Sequence, residues 1–224
     1  METMTLQHSP LHSWHTSRCE NWCQLGNTSL PRHFVSSDQE RAAGADLALC
    51  DLSGLPFIEF KGPGAADWLA ANGFSVPAEI YQGNSTTSDG WLTRTGSDEF
   101  LLRGSTDNQP LGLPVDLVTG IYQQDLLITK KQDALLLLTG QRINQLLGQT
   151  CGLDYDQLAS RETVFTRVAA ANCGLLKEQL ADYPVCWLWI DPSQALYLWH
   201  ELVQIIEDLA GQVVGAGCFC SEAG

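Results

Sequence analysis

From residue 48 onward, apolar and polar positions alternate between two periods, one of strands and one of helices. Leu49-Cys50-Asp51-Leu52-Ser53-Gly54 predicts a strand running into a turn. Phe57-Ile58-Glu59-Phe60 predicts another strand, with Pro56 tolerable at its start. Lys61-Gly62-Pro63-Gly64 then breaks the strand and launches a helix. Pro63 suits a first helical turn, Ala65, Trp68 and Leu69 recur at helical spacing, and Gly73 stops the helix. Residues 91–94 and 99–103 flank Thr95-Gly96-Ser97-Asp98, which predicts a hairpin. Residues 105–114 read as a surface loop rich in turn formers.

The second half repeats this theme. Residues 133–138 predict a strand, Thr139-Gly140 a break, and residues 141–149 a helix with Ile143, Leu146 and Leu147 on its apolar side. When Gly62 is laid on Gly140, Trp68 and Leu69 fall on Leu146 and Leu147. One unit of strand, glycine and short helix thus occurs twice, which suits a duplicated α+β domain. Residues 164–171, 173–176 and 185–190 read as strands. Asp191 caps the clearest helix in the chain, with Pro192 in its first turn and Gln194 placed for a capping box. Ala195, Leu196, Leu198, Trp199, Leu202, Ile205, Ile206 and Leu209 form its apolar stripe, which predicts packing of Trp199 on the chain's own sheet and leaves His200 at the surface. Gly211 ends it, and Val213-Val214 starts a last strand.

Residues 1–45 lack such periodicity and read as an irregular arm, with one short helix over residues 38–43 capped by Ser37. Leu11, Trp14, Trp22, Leu25 and Phe34 make it too apolar to stay free in solvent, so it wraps the body or lies along a partner. The expected organisation is therefore an arm over 1–45 and a body over 46–224, in halves of about 46–115 and 116–224.

Composition narrows the function classes. The 224 residues carry 26 acidic against 12 basic side chains, a formal net charge of -14. Nucleic acid and anionic membrane surfaces both select for positive charge, so neither is an expected partner. No apolar run approaches a membrane span, and the first residues mix polar groups and histidines rather than forming a signal. The expected location is the cytoplasm, where the eight cysteines would be mostly free thiols. Dinucleotide, Walker and Gly-x-Ser-x-Gly motifs are absent from the sequence; Gly62-Pro63-Gly64 has Pro63 where a phosphate needs a backbone N–H.

His8, His12, His15, Cys19 and Cys23 crowd the arm, and Cys218 and Cys220 lie near the other end. A zinc site drawing on both ends is conceivable. The spacing is not a compact C-x-x-C, however, and buried thiols are common as small apolar groups, so no metal ligand is assigned. Cys50, Cys151, Cys173 and Cys186 read as core residues.

Several segments, taken in order, resemble the gamma subunit family of heterotetrameric sarcosine oxidase. They are Ser9-Pro10-Leu11, Leu49-Cys50-Asp51-Leu52-Ser53, Lys61-Gly62-Pro63-Gly64-Ala65-Ala66 with Trp68-Leu69, Gly96-Ser97-Asp98-Glu99-Phe100-Leu101-Leu102, and Trp189-Ile190-Asp191-Pro192-Ser193 with Tyr197-Leu198-Trp199. The resemblance implies the folate-binding fold of aminomethyltransferases, an α+β pair of intertwined β-α-β-rich subdomains. It also implies a non-catalytic chain that packs on the large (alpha) subunit of an enzyme oxidising sarcosine or a similar N-methyl amine. FAD, FMN, NAD and tetrahydrofolate would then sit in partner subunits and none in this chain. The alternative is an independent tetrahydrofolate-dependent aminomethyl transferase. Such an enzyme needs a carboxylate near the folate. In the stretch Asn84-Ser85-Thr86-Thr87-Ser88-Asp89-Gly90 only Asp89 supplies one, and beside Gly90 it reads as a turn former. No catalytic, cofactor-binding or metal residue is therefore assigned.

Overall fold

The computed structural model describes residues 7–86, 89–106, 121–123, 125–180 and 183–220. The N-terminal segment, expected to be irregular, consists of short pieces. They are β1 (Gln7–His8), α1 (His12–Thr16), β2 (Trp22–Leu25), β3 (Thr28–Pro31) and α2 (Ser37–Asp46). The strands pair as β1-β3-β2. Helix α2 is longer than predicted, and its cap is Ser36 rather than Ser37. Ser36 and Gln39 form a capping box, which satisfies two of the otherwise unpaired N–H groups of the first turn. Leu11, Leu25 and Leu30 of this segment are fully buried in the body, as its apolar content requires.

The remaining chain runs through β4 (Ala48–Asp51), β5 (Phe57–Lys61), α3 (Ala65–Ala71), β6 (Gly83–Ser85), β7 (Trp91–Gly96), β8 (Glu99–Arg103), β9 (Ile121–Gln123), β10 (Leu126–Lys130) and β11 (Ala134–Thr139). It ends with α4 (Ile143–Thr150), β12 (Thr163–Val168), β13 (Ala171–Leu180), β14 (Tyr183–Ile190), α5 (Pro192–Asp208) and β15 (Gln212–Val214). These strands form two six-stranded sheets, β6-β7-β8-β5-β10-β9 and β12-β13-β14-β11-β4-β15. Read in parallel, the two orders correspond strand for strand: β5-α3-β6-β7-β8 in one sheet matches β11-α4-β12-β13-β14 in the other. The sheets also exchange strands. The early β4 completes the second sheet, and the later β9 and β10 complete the first.

The repeat read from sequence has a physical cause. Gly62 and Gly140 adopt φ of 122° and 110°, a region closed to side chains. A Cβ on Gly62 would lie 2.4 Å from the Asp125 carbonyl oxygen, and one on Gly140 2.2 Å from that of Asp46. Each glycine lets a strand turn into its helix against the backbone of a neighbouring segment. Pro63 lies in that turn, ahead of the helix that Gly64 caps.

The alternation along each strand builds three apolar layers. Ile58, Phe60, Leu92, Phe100, Leu102 and Ile128 face α3. Phe57, Trp91, Leu101, Leu135, Leu137, Trp187 and Trp189 meet between the sheets. Leu136, Leu138, Leu175, Leu188 and Ile190 face α4 and α5. The order is thus helix, sheet, sheet, helices. In α5 the buried face holds Ala195, Leu198, Trp199, Leu202, Val203 and Ile206, so Trp199 does pack on the chain's own sheet and His200 is exposed. Leu196 of the predicted stripe is exposed instead, and Val203 takes a place in it. Asp191 caps through the Ser193 N–H at 2.8 Å, without help from Gln194. The strand expected over residues 164–171 ends at Val168, because Ala169 and Ala170 adopt positive φ and turn the chain into β13. Most of the loop expected over 105–114 lies outside the described residues.

Candidate functional site

Where the two sheets diverge they leave a cleft of about 700 Å³. Its walls follow from strand alternation. Glu59 of β5 and Glu99 and Leu101 of β8 come from one sheet, and Phe165, Gly174 and Trp189 from the other. An aromatic series runs from the surface into the core. Ring centroids are 6.1 Å apart for Tyr81–Phe165, 5.9 Å for Phe165–Trp189 and 5.7 Å for Trp189–Trp91. Gly174 makes this possible: a Cβ there would stand 1.9 Å from the Trp189 indole, which lies across the glycine.

The cleft rim is acidic. Glu59, Glu99, Asp133 and Asp191 face Lys131 and Arg167. Lys61 pairs with Glu59 at 3.2 Å and Glu99 at 3.7 Å, and Lys131 with Asp133 at 3.5 Å. Burial pushes the Asp133 carboxyl above the usual range, and Lys131 opposes it. Four carboxylates against three cations, Lys61, Lys131 and Arg167, leave the rim slightly acidic and suit a cationic or neutral guest. They oppose the carboxylates of a folate tail, so the cleft residues do not match that cofactor's charge.

Deeper between the sheets lies a charged cluster that hydrophobic periodicity gave no sign of. Arg103 ends β8 fully buried. Its guanidinium lies 4.0 Å from the Trp187 ring centroid and 3.5 Å from a Glu178 oxygen. It also donates to the carbonyls of Gly104 and Asp89. The Trp187 indole donates to Glu178 at 2.9 Å, and Arg161 reaches the other Glu178 oxygen at 3.4 Å. Burial lowers Arg103 to about 10 and raises Glu178, each shift opposed by the partner's charge. With the Thr93–Thr163 hydroxyl contact of 2.7 Å, this cluster ties sheet to sheet.

Asp89, the one carboxylate considered for catalysis, is half-buried and occupied. It accepts from the Ser105 and Thr106 hydroxyls and from the Thr106 N–H at 2.8 Å. Burial raises its carboxyl, but these donors and Arg103 outweigh that and leave it below the usual value. It fastens the loop after β8 through these long-range bonds, not through bonds within its own turn.

The cysteines and histidines considered for zinc are divided among different partners. His15 bonds Asp51 at 2.8 Å, and the His8 and His12 rings stack at 4.0 Å. Cys19 donates to backbone carbonyls, whereas Cys218 meets Glu40. Cys50, Cys173 and Cys186 are buried in the core. Burial raises Cys173 to about 11 and Cys220 to about 12, so neither is a nucleophilic thiolate near neutral pH.

This architecture is that of the aminomethyltransferase fold. The chain superposes on the glycine cleavage system aminomethyltransferase T of Bartonella henselae with a TM-score of 0.72 and 16% identity over 96% of its length. It spans 61% of that enzyme. More particularly, it matches a chain of the heterotetrameric sarcosine oxidase of Corynebacterium sp. U-96, a structure in complex with pyrrole 2-carboxylate. The TM-score there is 0.63 with 16% identity, over 92% of this chain and 98% of that one. No family profile and no curated protein matches the sequence. Among the described residues no helix is long and apolar enough to cross a membrane.

Proposed function

We propose that this chain is a non-catalytic, gamma-type subunit of a cytoplasmic, sarcosine oxidase-like flavoenzyme acting on sarcosine or a similar N-methyl amine. Its work is to assemble with the large subunit and support it. The observation that carries this reading is the near end-to-end correspondence with a chain of the heterotetrameric oxidase, against coverage of only 61% of the transferase. The engaged state of Asp89 supports it, since a positioning carboxylate for one-carbon transfer must be free to meet its amine. The acidic rim supports placing tetrahydrofolate, like FAD, FMN and NAD, in partner chains. Ile80, Tyr81 and Phe165 expose 44%, 49% and 52% of their surface, and they suit a contact with the large subunit.

The size of the cleft favours a second reading, an independent tetrahydrofolate-dependent aminomethyl transferase. Two measurements decide. Purification from the native cell is expected to bring a flavin-containing chain in fixed ratio, and calorimetry of the lone chain with tetrahydrofolate is expected to give no heat. A chain that purifies alone and binds the folate saturably would establish the transferase instead.

A further inference from the structure

The chain just before α2 and the distant turn at Cys218 converge on the carboxylate of Glu40, in the first turn of α2. Glu40 is fully buried. One oxygen, Oε2, lies 2.8 Å from His33 Nδ1 and 3.1 Å from Cys218 Sγ. The other, Oε1, accepts the Phe34 N–H at 2.6 Å and the Val35 N–H at 3.3 Å. One potential ligand atom from each of His33, Glu40 and Cys218 lies within 4.8 Å of the other two.

The backbone is shaped to bring them together. The 3-10 turn Ala216–Cys218 lies on the chain at Arg32 and His33, with the Gly217 N–H bonded to the Arg32 carbonyl at 3.0 Å. A Cβ at Gly215 would stand 2.1 Å from the Arg32 oxygen, and one at Gly217 2.9 Å from His33 Nε2. Glycine at both places lets the turn approach and sets the Cys218 thiol against the carboxylate.

We propose that His33, Glu40 and Cys218 form a site for one zinc-class divalent cation, bound through Nδ1, a carboxylate oxygen and a thiolate. Imidazole, carboxylate and thiolate together are a donor set of the borderline-soft kind that zinc takes. Ligands at about 2.0–2.3 Å from a tetrahedral ion stand roughly 3.3–3.7 Å apart, so the two pairs made by Glu40 Oε2 need spread by only about half an ångström. The Phe34 and Val35 N–H groups already hold the second carboxylate oxygen, the support that ligating carboxylates require. Charge also balances: one carboxylate and one thiolate neutralise a divalent ion in a place where burial penalises net charge. His33 keeps 20% of its side chain exposed and leaves a side from which an ion and a fourth, water ligand enter. Binding transfers the Cys218 thiol proton to solvent, along with any proton on His33 Nδ1, so affinity falls as pH is lowered. The convergence escaped the sequence because Glu40 and Cys218 are 178 positions apart and His33 lies outside any Cys/His cluster.

The test is titration of the full-length, reduced protein with Co²⁺ at mildly alkaline pH. The expected result is one ion per chain, with a thiolate-to-cobalt charge-transfer band and the visible bands of a four-coordinate ion, both displaced by Zn²⁺. Cys218→Ser is expected to abolish the charge-transfer band. His33→Gln, at the partly exposed edge, is expected to keep the fold by circular dichroism and to weaken Co²⁺ binding by roughly tenfold or more. Absence of a thiolate band in the wild-type chain overturns the proposal. So does a band that survives Cys218→Ser, or an affinity that His33→Gln leaves unchanged.

Discussion

At the scale of single residues, Asp51 does the most to join the N-terminal segment to the body. One carboxylate oxygen accepts from His15 at 2.8 Å and from the Ser9 hydroxyl. The other accepts the Ser53 N–H at 2.9 Å and its hydroxyl at 2.6 Å. Burial pushes the carboxyl up, but the His15 hydrogen bond and charge, with Ser53 and Ser9, outweigh it and leave the folded-state pKa below 3.8. A group with a depressed folded pKa contributes stability above its unfolded value and loses it as pH falls through the folded one. The wild-type chain should therefore lose stability below about pH 4 more steeply than Asp51→Asn. At neutral pH that variant should cost on the order of 1–3 kcal/mol in urea unfolding, because its buried amide cannot accept all the hydrogen bonds that the carboxylate takes from His15, Ser9 and Ser53. Equal acid slopes for the two proteins would remove the depressed Asp51 carboxyl from this account. A second residue-scale prediction concerns Gly174. An alanine there meets the Trp189 ring, so Gly174→Ala should cost about 1–3 kcal/mol and alter the near-ultraviolet dichroism of the indole.

At the scale of elements, the sequence was legible where a signal is local. The β7–β8 hairpin, α5 with its Asp191 cap, and the paired units around Gly62 and Gly140 each carry their cause within a few residues. The missed elements lack such a cause. Strand β6 reads Gly-Asn-Ser and exists because it pairs with β7. The turn at Ala169 and Ala170 contains neither glycine nor asparagine, and the β12–β13 ladder imposes it. The site was illegible for the same reason. Arg103 looks like a solvated end of a hairpin strand until Glu178 and Trp187 arrive from the other sheet. Two glycines make the contrast measurable. Gly140→Ala forces a side chain into a positive-φ site against the Asp46 carbonyl and should cost on the order of 3 kcal/mol. Gly148, inside α4, has open space where its Cβ would stand, so Gly148→Ala should stabilise by about 0.5–1 kcal/mol. Opposite signs in thermal unfolding of the two variants would confirm that one glycine is required and the other is not.

At the scale of the whole molecule, the exchange of β4 for β9 and β10 means that neither sheet closes without chain from the other half. The Arg103–Glu178–Trp187 cluster adds a polar lock to this topology, and the two halves should unfold in one transition. The surface with least claim on the chain's own stability is the exposed end of the aromatic series. Tyr81 and Phe165 keep about half their area in water while their inner neighbours Trp189 and Trp91 are buried. Replacing both with serine should leave the thermal midpoint within about 2–4 °C of wild type, since neither fills the core. If the large subunit docks there, the same double variant should weaken association by about thirtyfold or more, the effect of losing a central aromatic contact. Titration of the purified large subunit by each form reads this directly. Unchanged affinity would move the interface elsewhere, and Leu196 and Tyr197, exposed on the first turns of α5, would be the next surface to vary.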